Sequence, residues 1–204
     1  MSATTDQDEL APSQTPGYKV GEKKTMDDYV NMDASDESLK RWKASLGLAS
    51  NKPVISGLHL PISCDTVGVS ATTDDDRKVI ILHLALEVPG RPDEILDLSS
   101  KDALEKVKDK PFIIKEGVEY QMKVKFRIQH EVVCGLKYIQ VVKRRGIKVD
   151  KTEEMIGSYG PSEDPYEKKF MIEEAPSGLL ARGHYEAKSK FIDDDGFTHC
   201  EWNW

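Results

Sequence analysis

From Tyr120 to Ile128, nine consecutive residues alternate apolar and polar side chains without an error. Period two sends Tyr120, Met122, Val124, Phe126 and Ile128 to one face and the charges to the other. The pattern predicts a strand with one buried face and one wet face, and such a strand belongs in an antiparallel sheet. Ile80, Leu82, Leu84 and Leu86 predict a second apolar row. Further strands are expected near 54–62, 132–143, 166–172, 180–192 and 197–204. Pro89-Gly90, Lys115-Glu116-Gly117, Gly157 to Pro161 and Pro176-Ser177-Gly178 supply turns between them, and Asp102 to Val107 one short helical turn. Seven to nine short strands of this kind predict an all-β fold, an immunoglobulin-like β-sandwich.

The first 37 residues do not share the pattern. They hold nine acids and three bases, −6 of the chain's −7, and their only aliphatic branched side chains are Leu10, Val20 and Val30. So little apolar surface does not offset the entropy of ordering a segment. Residues 1–50 are therefore expected to form a flexible, partly helical arm, and residues 51–204 the sandwich. Thr25 is placed to cap a turn at Met26-Asp27-Asp28, whose acids suit a helix N-terminus. Ser35 is placed to cap a second helix that opens with Asp36-Glu37 and stops at Gly47, with Leu39, Trp42 and Leu46 on one face. Such an arm is either a frayed terminus with a short docked helix or a segment that folds on a partner. Periodicity alone favours the first.

Several function classes drop out. A chain of net charge −7 does not attract nucleic acid through its overall field. No run approaches the roughly 20 apolar residues of a bilayer span, and the first thirty residues lack the apolar block of a secretory signal. Cys64, Cys134 and Cys200 are odd in number and contain no Cys-x-x-Cys pair, which fits a reduced compartment rather than a disulfide framework or thiolate zinc site. The expectation is a cytoplasmic chain that is not an integral membrane protein. His59, His83, His130, His184 and His199 show no metal-ligand spacing. Gly157-Ser158-Tyr159-Gly160 is not the Gly-x-Ser-x-Gly of a nucleophile elbow and reads as a tight turn. Asp193-Asp194-Asp195-Gly196 begins like a calcium loop, but its twelfth position is Trp204 rather than Glu, so it reads as a solvated turn. Without nucleophile, base and orienter in one motif, neither an enzyme nor a cofactor is expected.

Two features ask for more. Lys143-Arg144-Arg145-Gly146-Ile147-Lys148-Val149-Asp150-Lys151 is basic, yet Ile147 and Val149 alternate with the charges as in an exposed hairpin. Trp202 and Trp204, at i and i+2, share one strand face. Two such rings either fill a thick core or line a cavity between the sheets.

The sequence also resembles a known family. Tyr18-Lys19 and Asp36-Glu37-Ser38-Leu39-Lys40-Arg41-Trp42-Lys43 resemble the regulatory arm of the Rho GDP-dissociation inhibitors. Phe112-Ile113-Ile114-Lys115-Glu116-Gly117-Val118-Glu119-Tyr120 and Gly135-Leu136-Lys137-Tyr138-Ile139-Gln140 are similar to blocks of the same family. So are Gly146 to Thr152, Met155 to Pro161, Glu173 to Gly183, and Phe191 to Asp195. The resemblance is collinear from about Tyr18 onward. It departs from animal members at Val20-Gly21, where those carry prolines, and at Trp204, beyond which relatives continue their last strand.

The resemblance implies a sandwich that holds the geranylgeranyl group of a Rho-family GTPase between its sheets. Leu60, Phe112, Tyr120, Val132, Leu180, Trp202 and Trp204 match the family's lipid positions. Tyr18, Asp36 and Ser38 match arm positions that engage the GTPase switch regions. Asp150, Asp194 and Asp195 match acids facing the GTPase, and Glu173 and Glu174 match acids near its basic tail. The implied activity is inhibition of GDP release and extraction of the prenylated GTPase from membranes, by a monomer forming a 1:1 heterodimer. The alternative is a general carrier of prenyl or acyl cargo that does not act on switch regions.

Overall fold

In the computed structural model the described residues are 9–13, 16–21, 24, 25, 28, 31, 32, 35–45 and 75–204, with the side chains of 42–45 left aside. The strand expected near 54–62, together with His59, Leu60 and Cys64, lies outside them, as do Leu46 and Gly47.

Among the described residues the chain runs α1 (Glu37–Ser45), β1 (Val79–Glu87), β2 (Glu94–Asp97), α2 (Lys101–Lys106), a 3-10 turn (Val107–Asp109), and then six strands. These are β3 (Glu119–Ile128), β4 (Val133–Arg144), β5 (Ile147–Tyr159), β6 (Tyr166–Glu174), β7 (Glu186–Ile192) and β8 (Thr198–Asn203). They form two four-stranded sheets, ordered β2-β1-β3-β6 and β5-β4-β7-β8, and every pairing is antiparallel. One shared core joins them: Met122, Val124, Phe126 and Ile128 of β3 pack with Leu136 and Tyr138 of β4, Phe191 of β7 and Trp202 of β8. The all-β sandwich stands as expected.

Local chemistry explains most element boundaries. Asp36 rather than Ser35 caps α1: its Oδ1 accepts from the Ser38 amide at 2.9 Å, the Ser38 hydroxyl at 2.5 Å and the Leu39 amide at 3.3 Å. A carboxylate two and three residues before those amides satisfies orphan donors and complements the helix dipole. Thr25 and Asp28 cap each other as expected, Asp28 N to Thr25 Oγ1 at 3.2 Å and Thr25 N to Asp28 Oδ2 at 3.1 Å. Ser100 caps α2 by accepting from the Ala103 amide. Arg145 and Gly146, at φ 51° and 76°, make the tight turn between β4 and β5. The expected hairpin is there, with Ile147 and Val149 in solvent.

Three local expectations are corrected. The row Ile80, Leu82, Leu84, Leu86 is broken by a bulge between Ile81 and His83, so Val79 and Ile81 face inward before it and Leu84 and Leu86 after it. Gly157-Ser158-Tyr159 is not a tight turn. It ends β5, where Gly157, at φ 126°, sits opposite Leu136 at a register shift and Ser158 Oγ accepts from the Gly135 amide at 3.0 Å. The strand expected from residue 180 begins only at Glu186, because residues 176–185 form a loop held from below by other side chains.

Candidate functional site

The register places the interior in layers. At one end of the sandwich Phe126, Tyr159 and Tyr166 meet, with ring centroids 4.7 to 5.7 Å apart. In the middle Tyr138 touches Phe170, Phe191 and Trp202 at 4.9, 5.1 and 6.2 Å, and Trp202 stacks on Phe191 at 5.7 Å. The far end is not filled. There the last residues of β1, β4, β6 and β8 and the first of β3, β5 and β7 surround a cavity of about 1050 Å³. That is at the upper end of the roughly 300–1,000 Å³ range of whole-ligand pockets.

Its walls are apolar: Leu86 and Met122 from one sheet, Val142, Ala187 and Trp204 from the other, and Phe112 and Ile114 from the segment before β3. Phe112 and Trp204 meet edge to face at 5.2 Å. The few polar groups on the deep side satisfy one another. Trp204 Nε1 donates to Ser189 Oγ at 2.9 Å, Tyr138 OH lies 3.0 Å from the same oxygen, and Tyr138 OH donates to Gln140 Oε1 at 2.6 Å. Burial pushes the Tyr138 hydroxyl far above its ordinary value, so it stays a neutral donor. Those four groups pair among themselves, so an apolar guest beside them does not strip them of their partners.

The mouth is charged. Asp150, Glu173 and Glu174 line it together with Lys115, Arg144 and Arg182. Glu173 accepts from the Tyr120 hydroxyl at 2.5 Å; burial first, and that hydrogen bond second, keep the Tyr120 proton in place. The loop between β6 and β7 forms one lip. Arg144 holds it by donating to the Leu180 carbonyl and, at 2.5 Å, to the Arg182 carbonyl, while its guanidinium lies over the Tyr185 ring at 5.3 Å. Arg182 in turn is paired with Glu116. Leu179 and Leu180, at the tip of this lip, are 83% and 89% exposed.

A second cluster lies at the turn between β7 and β8, at the opposite end of the sandwich from the cavity. Asp193 organises the turn by accepting from the Phe197 amide at 2.8 Å and from His199 Nε2 at 2.9 Å. Asp194 accepts from the Tyr18 hydroxyl at 2.8 Å, and Asp195 is exposed. Gly135, at φ 61°, packs so closely that a Cβ there would lie 2.0 Å from the Asp194 carboxylate.

A family model described as RHO protein GDP dissociation inhibitor matches residues 3–204. The chain belongs to that family. Over 189 residues it is 48% identical to the Rho GDP-dissociation inhibitor of Schizosaccharomyces pombe, covering 93% of this chain and 84% of that protein. The Saccharomyces cerevisiae protein of the same name is 42% identical over 191 residues, 92% of this chain and 87% of its own. Human Rho GDP-dissociation inhibitor 1 is 37% identical over 204 residues, all of this chain and 89% of the relative. The family consists of regulators, not enzymes. Among the described residues no helix is long and apolar enough to cross a membrane.

Of the lipid positions that the resemblance implies, Phe112, Tyr120 and Trp204 line the cavity. Trp202 lies in the core beneath it, Leu180 is exposed at the lip and does not line the cavity, and Val132, just before β4, is at the opposite end of the sandwich. Leu60 is outside the described residues. Of the acids, Asp150, Glu173 and Glu174 gather at the mouth, while Asp194 and Asp195 sit at the β7–β8 turn. Asp36 and Ser38 are engaged with each other at the start of α1. Leu86, Met122, Val142 and Ala187 also belong to the walls; the sequence places Leu86 and Met122 on apolar strand rows but marks none of the four as a lipid position. Their signal is the inward register of β1, β3, β4 and β7 near one end of each strand.

Proposed function

We propose that this Rho GDP-dissociation inhibitor family member binds a prenylated Rho-family GTPase, takes its lipid into the cavity, slows GDP release and draws the GTPase off membranes. One observation carries the reading: an apolar cavity of about 1050 Å³ opens beside the acids Asp150, Glu173 and Glu174. A prenyl chain gains on the order of 0.8 kcal/mol per buried CH₂, so it stays in a bilayer or a protein slot of comparable dryness. Hydrophobicity does not decide between the two, because both bury the chain. The difference comes from the protein contact. Acids at the mouth compete with anionic lipids for the bases of a GTPase tail, which a membrane holds at roughly 1 kcal/mol each.

The arm supplies the second half. Tyr18, Asp36, Ser38 and the acids Asp194 and Asp195 are proposed to meet the switch regions, where a segment that folds on its partner restrains the opening that nucleotide release requires. The GTPase brings the nucleotide and its metal; this chain brings shape and charge.

Capture from a cell extract on immobilised full-length chain tests the reading, comparing prenylated with unprenylated GTPase. Strong retention of the prenylated form alone is expected. Equal retention of both would remove the lipid from the mechanism. A general lipid carrier would instead retain acylated and prenylated peptides without slowing nucleotide release.

A further inference from the structure

The outer face of the β5-β4-β7-β8 sheet is turned away from the cavity. Pairing aligns Glu153, Ile139 and Lys190 in one row and Lys151, Val141 and Lys188 in the next. A solvent face of alternating strands is ordinarily polar throughout. This one has an apolar centre, yet Ile139 is 0% exposed, Val141 1% and Ile192 6%. What covers them is Leu10, itself 2% exposed.

The neighbours of Leu10 are fastened as well. Glu9 pairs with Lys143 at 2.6 Å, and Lys151 Nζ donates to the Ala11 carbonyl at 2.7 Å. The Ser13 amide donates to both oxygens of Glu153, at 3.1 and 3.0 Å, and the Ser13 hydroxyl donates to one of them at 2.6 Å. Further along, Tyr18 reaches Asp194, whose other oxygen lies 4.0 Å from Lys137. The segment thus crosses the face from the hairpin end of β4 toward its start. Lys137, Lys143, Lys151, Lys188 and Lys190 give this face an excess of bases, and the first 37 residues carry most of the chain's acid excess. Charge and shape both fit this occupant.

We propose that Glu9 to Ser13 is an intramolecular anchor, whose seat is Ile139, Val141 and Ile192 and whose effect is to hold the arm at both ends while it meets the GTPase. The inference rests on the switch-binding role proposed above for the arm. A tail attached at one end samples a wide volume. Fixing a second point confines the intervening residues, raising their effective concentration at a partner without adding any contact to it. Residues 9–13 therefore contribute to inhibition although their contacts are with the sandwich.

The experiment compares the full-length chain with Leu10→Asp and with the conservative Leu10→Met. Methyl resonances of Ile139 and Ile192 report the seat, and GDP release from a prenylated Rho-family GTPase reports inhibition. Leu10→Asp is expected to shift both methyls and weaken inhibition by roughly tenfold or more. Binding of a geranylgeranylated peptide to the cavity is expected to stay unchanged, and Leu10→Met to restore both readouts. A synthetic peptide of residues 5–17, added to Leu10→Asp, should return the methyls toward their original positions. Unmoved methyls would overturn the seat. Shifted methyls with unchanged inhibition would overturn its role, and methyl shifts in Leu10→Asp caused directly by the GTPase would assign the face to that partner instead. If the unaltered chain neither binds the prenylated peptide nor slows release, the function reading fails by itself, and the methyl shifts still decide whether the segment is seated.

Discussion

Single side chains carry much of the site's geometry. Gly135 adopts φ 61° against the Asp194 carboxylate, where a Cβ has neither a comfortable backbone nor space. Gly135→Ala should lower stability by about 2 kcal/mol or more in urea unfolding, combining backbone strain with displacement of Asp194. Glu153 shows a different economy. Burial raises its carboxyl, but hydrogen bonds from Ser13 and Lys151 outweigh that and hold it at about 2. A carboxyl lowered in this way stabilises the seated segment above its ordinary value, and the stabilisation fades as pH falls toward about 2. Carbon-detected titration of Glu153 should therefore give a midpoint near 2 in the intact chain and a clearly higher one in Ser13→Ala. Asp36 caps α1 and is proposed to meet the GTPase, and substitution separates the two. Asp36→Ser keeps an oxygen for capping α1 and loses the charge, whereas Asp36→Lys loses both. If the charge meets the GTPase, both variants weaken capture of the prenylated GTPase, and Asp36→Lys more so. Capture unchanged in Asp36→Ser would leave Asp36 as a cap alone.

At the scale of elements, β8 and the residue that follows it serve two layers of one interior. Trp202 fills the middle layer against Phe191, and Trp204, two residues on, lines the cavity. The choice between thick core and cavity, open in the sequence, is met by one ring each. Trp202→Ala should cost about 3–5 kcal/mol, read as a lower melting temperature, because the layer has no way to collapse around the missing ring. Ala187→Trp makes the opposite test: a large ring placed in the cavity wall should abolish prenylated-peptide binding while the chain stays folded. Strand β3 was legible in full because its period is unbroken. Strand β1 was legible as a strand but not in its facing, because one extra residue at Leu82 inverts the inward set and no composition signal marks a bulge. Strand β5 was legible only in its first residues, as one arm of the exposed hairpin. Gly157 reads as the start of a turn, yet β5 runs on to Tyr159 as an edge strand, with Glu153 facing the arm and Asp150 and Thr152 lining the cavity.

The whole molecule joins a cavity at one end of a sandwich to an arm that crosses the outside of one sheet. Removal of residues 1–50 should leave prenylated-peptide binding largely intact and abolish inhibition of nucleotide release, measured on the same preparation. Inhibition equal to that of the full chain would refute the switch-clamp role. The sequence by itself determined the all-β class, the acidic arm and, through collinear motifs, the family; these follow from period, composition and residue order, which need no third dimension. Only the tertiary structure decided which interior positions remain unfilled and which outer face receives Leu10. Both depend on side chains distant in sequence being brought together by strand register. An apolar residue looks the same in a list whether it packs a core, borders a cavity or covers the outside of a sheet.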